Sequence, residues 1–257
     1  MTDTLQVQGE FAPAESSFAA ETLAAAVVAD AAADAVTAEP NGFIELGLAP
    51  ELVQAVADLG YTQPTSVQLK AIPLAMGSGN DSTSFIDLMV SSQTGSGKTA
   101  AFLLPVLHTL IQQQAAAEAE ERAAFERAVA EAAARGEPAP KRAKRKDPTN
   151  SRNFKAATPG ALILCPTREL AQQVAHDAID LVKHCRGLRV ANVVGGMPYQ
   201  LQIAKLQNAN LVVATPGRLL DLQRSMQIKL DKVQFLVVDE ADRMLDLGFS
   251  DDLAELN

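Results

Sequence analysis

Cysteine is scarce. Cys165 and Cys185 are the only two in 257 residues, too few for a disulfide scaffold and without metal-ligand spacing. Both read as packed interior residues, which fits a reducing, cytoplasmic setting. No apolar run approaches the length of a membrane span, and the N-terminus lacks the basic-then-apolar order of a signal peptide, so no membrane partner is expected. Residues 1–40 hold seven acids and no Lys or Arg, and so carry −7 of the chain's net charge of −9. That leaves −2 for the rest, which neither supports nor excludes a polyanionic partner. The same forty residues have few large apolar side chains to offset the entropy of ordering, and a disordered, acidic, Ala-rich tail is expected there.

The remainder has ample material for a core, since 47% of the chain is hydrophobic. Its most informative stretch is Ser92-Gln93-Thr94-Gly95-Ser96-Gly97-Lys98-Thr99. The apolar run Phe85–Val90 leads into it as a predicted strand, and a helical pattern, Ala100–Leu110, leaves it. Strand, glycine-rich loop, Gly-Lys-Thr and helix form the phosphate-binding arrangement of P-loop nucleotide hydrolases. Glycines let successive backbone N–H groups converge on phosphate oxygens, and the helix start adds its free N–H groups and dipole. Lys98 then reaches the terminal phosphates, and the Thr99 hydroxyl suits a magnesium ion. Ser92 departs from the pattern, which has Gly at that position. An ordinary Gly/Ser loop is the bland alternative.

Upstream, helices are predicted over Pro50–Gly60 and, after a turn, from Thr65 to Ile72, ended by Pro73. Downstream, the helix after Thr99 outruns its domain. From Gln112 to Arg135 it becomes Ala-, Glu- and Arg-rich with a thin apolar stripe, supported by the i,i+4 pairs Glu118/Arg122, Arg127/Glu131 and Glu131/Arg135. Residues 112–158 read as an insertion that includes the basic run Lys141–Lys146, either a solvated loop or an RNA-gripping element. Beyond Gly160, strands over Ala161–Cys165, Leu188–Val194, Leu211–Ala214 and Phe235–Val238 alternate with helices over Arg168–Cys185, Tyr199–Leu206 and Pro216–Arg224. That alternation predicts an α/β fold, a parallel sheet flanked by helices, with ligands at the carboxyl ends of its strands. The polar motifs after those strand ends should converge on one edge. Asp239 and Glu240 close the last strand, placed to hold hydrated magnesium and to polarise water. A pair of surface acids is the plainer reading.

Asp239-Glu240-Ala241-Asp242, continued by Arg243–Phe249, resembles the signature of the DEAD-box RNA helicases. Residues 60–68, Gly-Tyr-Thr-Gln-Pro-Thr-Ser-Val-Gln, resemble that family's Q motif, with Phe43 as its isolated upstream aromatic. Pro166–Ala171 is similar to motif Ia, Gly195-Gly196 to the GG pair, and Thr215-Pro216-Gly217-Arg218 to motif Ib. The likeness covers about residues 41–111 and 159–252.

The resemblance implies a RecA-like P-loop domain over 41–257, with the Q motif at 41–69, and ATP and Mg2+ as cofactors. Phe43, Gln63 and Gln68 would take adenine, with Phe43 stacking on the ring; a hydrophobic staple is the alternative for Phe43. Thr94, Gly95, Ser96, Gly97, Lys98 and Thr99 would hold the phosphates, Thr99 and Asp239 the magnesium, and Glu240 would activate water, with Lys98 and Glu240 as the catalytic pair. Pro166, Thr167, Arg168, Gly196, Thr215, Gly217 and Arg218 would touch the RNA backbone without reading bases. Thr215 suits a helix N-cap and Pro216 the first helical position. Asp242 would serve interdomain coupling to a Ser-Ala-Thr segment that this chain lacks. The expected whole is an ATP-dependent RNA helicase of which this chain is the N-terminal portion, truncated before the last strands of its first domain. A second RecA-like domain would complete it. Two alternatives stay open: a nucleotide- or RNA-binding fragment without turnover, and another P-loop ATPase acting on DNA.

Overall fold

The computed structural model describes residues 41–77, 87–93, 95, 97–141 and 155–256. The acidic tail at 1–40 and most of the basic run, 142–146, lie outside them. Along the chain run α1 (Gly42–Glu45), α2 (Pro50–Asp58), α3 (Ser66–Met76), α4 (Lys98–Ala134), β1 (Ala161–Leu164), α5 (Arg168–Leu181), β2 (Val190–Val193), α6 (Tyr199–Leu206), β3 (Leu211–Ala214), α7 (Pro216–Arg224), β4 (Phe235–Val238), α8 (Ala241–Asp246) and α9 (Ser250–Leu256).

The strands form one parallel sheet in the order β2-β3-β1-β4. Central β1 and β3 are buried throughout, as continuous apolar runs require when helices cover both faces. Alternate residues belong to different cores. Ala161, Ile163, Leu211 and Val213 join the core built from α2 to α5, with Leu52, Ile72, Leu104, Leu107 and Val174. Leu162, Leu164, Val212 and Ala214 join the core under α6 to α8, with Leu206, Leu219, Leu222 and Met244. Each large side chain so buried contributes roughly 1.5–3 kcal/mol. The result is a helix–sheet–helix sandwich whose strand ends lie in register.

Three expectations need correction. The helix α3 passes through Pro73 and ends at Met76. Proline removes one N–H and crowds the preceding turn. Here a complete capping box at Thr65 and Gln68, buried Ala71 and Ile72, and packing against α4 hold the helix together. Residues 87–90, the described part of the run before the glycine-rich loop, form no strand and lie exposed. Among the described residues no strand pairs with them, and the edge strand β4 leaves Leu236 57% and Val238 37% exposed. The long helix α4 does extend to Ala134 and is mostly exposed beyond Ile111, but its expected i,i+4 pairs give way to other contacts. Arg127 donates to the Ala123 carbonyl and Arg135 pairs with Glu137. Such exposed ion pairs are worth little, so local geometry selects among them.

A polar cluster ties the first helices to the sandwich. Asp58, ending α2, accepts from Lys183 at 2.8 Å and meets His184 Nε2 at 2.7 Å, both just beyond α5. Lys183, then His184, then Gln54 hold the Asp58 carboxyl below the usual carboxylate range. A depressed carboxylate contributes stability that is present above its unfolded value and lost as pH falls through its folded one. Asp58→Asn should therefore lower the thermal midpoint at neutral pH. Scanned downward from about pH 4, the gap to wild type should close; a gap independent of pH would contradict the cluster.

Candidate functional site

At the glycine-rich loop the backbone conformation is dictated by two glycines with positive φ, Gly95 at +77° and Gly97 at +84°. Gly97 is the N-cap of α4 and makes no side-chain cap, so the first helical N–H groups face the loop. Lys98 donates from Nζ to the Ser92 carbonyl, folding its ammonium back across the loop. Lys98 and Thr99 are both half-buried. The expected phosphate ligands Thr94 and Ser96 lie outside the described residues.

Gln68 is pressed against this loop. Its Nε2 donates to the Gly97 carbonyl at 3.2 Å, and its Oε1 accepts from the Thr65 N–H at 3.0 Å. A Cβ at position 97 would sit 2.5 Å from Gln68 Nε2, so close approach and positive φ both require glycine. Among the described residues the buried Gln68 amide leaves one N–H and one lone pair uncommitted. Gln63 is exposed, its Oε1 lying over Gly42. Phe43 departs from expectation. Its ring is 1% exposed and belongs to the core with Leu48 and Leu52, leaving no open face for a base to stack on. An aromatic on a four-residue helix gains more by filling the core than by waiting in solvent.

The acid pair follows β4. The Asp239 N–H donates to the Leu164 carbonyl at 2.9 Å, extending the parallel ladder by one residue. Burial, and then the neighbouring Glu240 charge, push the Asp239 carboxyl up; the Glu240 backbone and the Lys98 charge oppose them. Lys98 and Asp239 thus share one field. Glu240 adopts φ +49°, a left-handed conformation that costs a non-glycine residue roughly 1–2 kcal/mol. Its carboxylate meets Arg243 Nη1 at 3.3 Å. Asp242 is exposed on the first turn of α8. Burial, with the same two acids, pushes the Cys165 thiol up to about 12, so it is an inert packing residue. Among the described residues no three His, Cys, Asp or Glu side chains cluster as metal ligands. One half-buried carboxylate and one hydroxyl suit Mg2+ better than other metals, because Mg2+ keeps several waters and takes few protein ligands.

Along the same edge lie three more segments. Thr167 caps α5, accepting from the Leu170 N–H at 3.3 Å, and is preceded by buried Pro166. Arg168 is exposed and meets Glu169 at 3.4 Å. Gly196, at φ +80°, lies under Arg168, whose Nη1 would be 2.7 Å from a Cβ there. Thr215 donates its N–H to the Val193 carbonyl, but its side chain makes no cap bond, contrary to expectation. That leaves the hydroxyl and the start of α7 to other partners, beside exposed Gly217. Arg218 is held by the Met197 carbonyl, Gln202 and the Tyr199 ring. Sequence reasoning missed Tyr199 and Gln202. An amide at a helix position flanked by apolar residues was the available signal for Gln202.

Comparison with known proteins agrees with this geometry. Residues 65–257 match the family model described as DEAD/DEAH box helicase. The DEAD-box ATP-dependent RNA helicase 52A of Oryza sativa subsp. japonica is 37% identical over 218 residues, 84% of this chain and 30% of that protein. The RNA helicase CrhR of Synechocystis sp. is 38% identical over 212 residues, 82% and 33% of the two chains. This chain thus spans about a third of the length of these relatives. The ADP-bound crystal structure of the RNA helicase Prp28 from Chaetomium thermophilum superposes with a TM-score of 0.59 at 33% identity, over 82% of this chain and 41% of that one.

The conformation of Gly97 is directly testable. Gly97→Ala should lose about 1–2 kcal/mol of unfolding free energy through the left-handed backbone alone, read by urea denaturation. An unchanged midpoint would show that the loop does not adopt this conformation.

Proposed function

The chain belongs to the DEAD/DEAH box helicase family, and on that premise we propose that it forms the ATP-binding, RNA-contacting RecA-like domain of an ATP-dependent RNA helicase. The observation that carries this reading is the pairing of a glycine-rich loop bearing Lys98 with a half-buried carboxylate, Asp239, at a strand end. The domain spans 41–257, with 1–40 as a tail and 112–158 as an insertion. A second RecA-like domain in the complete protein closes over the site, and the protein acts in the cytoplasm.

In this reading Gly95, Gly97 and the N–H groups that open α4 cradle the phosphates, together with Thr94 and Ser96. Lys98 leaves the Ser92 carbonyl for the terminal phosphate oxygens. The spare N–H and lone pair of Gln68 take the adenine edge while its bond to Gly97 persists, so base recognition bears directly on the phosphate loop. Gln63 flanks that edge, and Phe43 supports it from the core rather than by stacking. Thr99 and Asp239 hold Mg2+, which supplies charge neutralisation at the transferring phosphoryl group. Glu240, freed from Arg243, accepts the proton of the attacking water. Pro166, Thr167, Arg168, Gly196, Thr215, Gly217 and Arg218 hold the RNA backbone. Asp242, exposed beside the acid pair, couples the site to the rest of the protein.

Phosphate release measured with and without single-stranded RNA tests the proposal in the complete protein. RNA should stimulate turnover. Glu240→Gln should leave ATP affinity within a few-fold of wild type and cut turnover by about 10²–10⁴-fold, the range for a general base. Near-normal turnover in that variant would assign the base elsewhere.

A further inference from the structure

Gln202 is the most completely buried polar side chain among the described residues, at 0% exposure, and the phosphate chemistry makes no use of it. It lies on α6, which packs against β2. A buried amide is tolerated only when its donor and acceptor are satisfied, and a hydrocarbon side chain would fill the same space without that demand. Both amide atoms of Gln202 have partners, and both partners lie on the RNA-facing edge. Nε2 donates to the carbonyl of Val194, the residue before Gly195 and Gly196. Oε1 accepts from Arg218 Nη1 at 3.4 Å.

Arg218 is held from several sides. Beyond Gln202 it donates to the Met197 carbonyl at 3.5 Å, lies 5.8 Å from the centroid of the Tyr199 ring, and comes within 4.0 Å of Asp221 Oδ2. Its side chain is only 19% exposed. A long, flexible arginine is thereby fixed in one rotamer, with a small part of its surface left at the start of α7, beside exposed Gly217. The rotamer entropy of such a side chain is lost during folding rather than at binding. The Gly196 backbone beneath Arg168 belongs to the same chain of contacts through Val194. Arg168, Gly196 and Arg218 come from three different elements, and Gln202 ties two of those elements together.

We propose that Gln202 is a positioning residue: it presents Arg218 to an RNA phosphate and locks the Gly195-Gly196 loop to the start of α7. This rests on the reading of Arg218 as an RNA-backbone contact. Gln202 itself touches no RNA.

The test measures binding of a fluorescein-labelled ten-nucleotide oligouridylate by anisotropy across a KCl series. Four variants of the complete protein are compared with wild type, each checked by thermal unfolding: Arg218→Ala, Gln202→Met, Gln202→Glu and the Met/Ala double variant. Arg218→Ala should weaken binding about tenfold and reduce the salt slope by roughly 0.7, the value for one phosphate contact on a single strand. Gln202→Met should weaken binding about three- to fivefold with part of that slope change, and the double variant should bind no worse than Arg218→Ala alone. Gln202→Glu keeps the acceptor for Arg218 but loses the donor to the Val194 carbonyl, so its binding should fall between wild type and Gln202→Met. A Gln202→Met protein that binds as wild type, or a double variant whose loss is the product of the single losses, would overturn the proposal. Should Gln202→Met not fold, a folded Gln202→Glu that binds with wild-type affinity and salt slope would overturn it as well. Unchanged binding in Arg218→Ala would instead remove the premise that Arg218 contacts RNA, and the proposal with it.

Discussion

Parallel pairing in register is the constraint on which the rest depends. Leu164 is opposite both Ala214 and Val238, and Ala214 is opposite Val193, so four strands end together. Whatever follows each strand must emerge along one edge. Pro166–Arg168, Gly195-Gly196, Thr215–Arg218 and Asp239-Glu240 follow them. These segments are far apart in the chain and otherwise unrelated in type. Ladder bonds continue one residue past the strands, from Cys165 to Ala214, Thr215 to Val193 and Asp239 to Leu164, and carry the strand register into the functional segments.

Three of the groups proposed to face the nucleotide are already paired within the chain. Lys98 lies on the Ser92 carbonyl, Gln68 on Gly97, and Glu240 on Arg243. A ligand here gains from new contacts and loses these internal ones, so its net affinity is a difference. Gln68 alone need not exchange partners, because an amide can accept and donate twice. The proposed adenine recognition would thereby be joined to loop conformation in one side chain. Farther along the edge Gln202 has the same form, a buried amide joining two segments.

Much of the fold was legible in the residues. The strands β3 and β4 and the helices α6 and α7 fall where short apolar runs and helical spacing put them, because flanking Gly, Pro and Asn leave few other boundaries. The short helices α1, α8 and α9 were not read, having too few turns to establish a period. Pro73 misled because tertiary packing on α4 outweighs the local cost of one lost hydrogen bond. The run before the glycine-rich loop has strand composition, but composition does not supply a neighbour to pair with. Motif spacing singled out Lys98, Asp239, Glu240 and Arg218 as candidates. It did not reveal that Phe43 faces the core, that the Thr215 side chain makes no cap, or that Gln202 holds Arg218. Those facts depend on which face of an element meets which neighbour, and a single sequence does not specify that.

The central claim is that one strand edge, with Gln68 joined to the phosphate loop, takes an adenine nucleotide. Amide hydrogen exchange with and without Mg2+ and a non-hydrolysable ATP analogue tests it most directly. Protection should appear together at Gly95, at Gly97–Ala100, at Thr65–Gln68 and at Asp239-Glu240, and the GTP counterpart should produce less of it. Equal protection by both analogues, or protection that leaves Thr65–Gln68 and Asp239-Glu240 unchanged, would contradict the account.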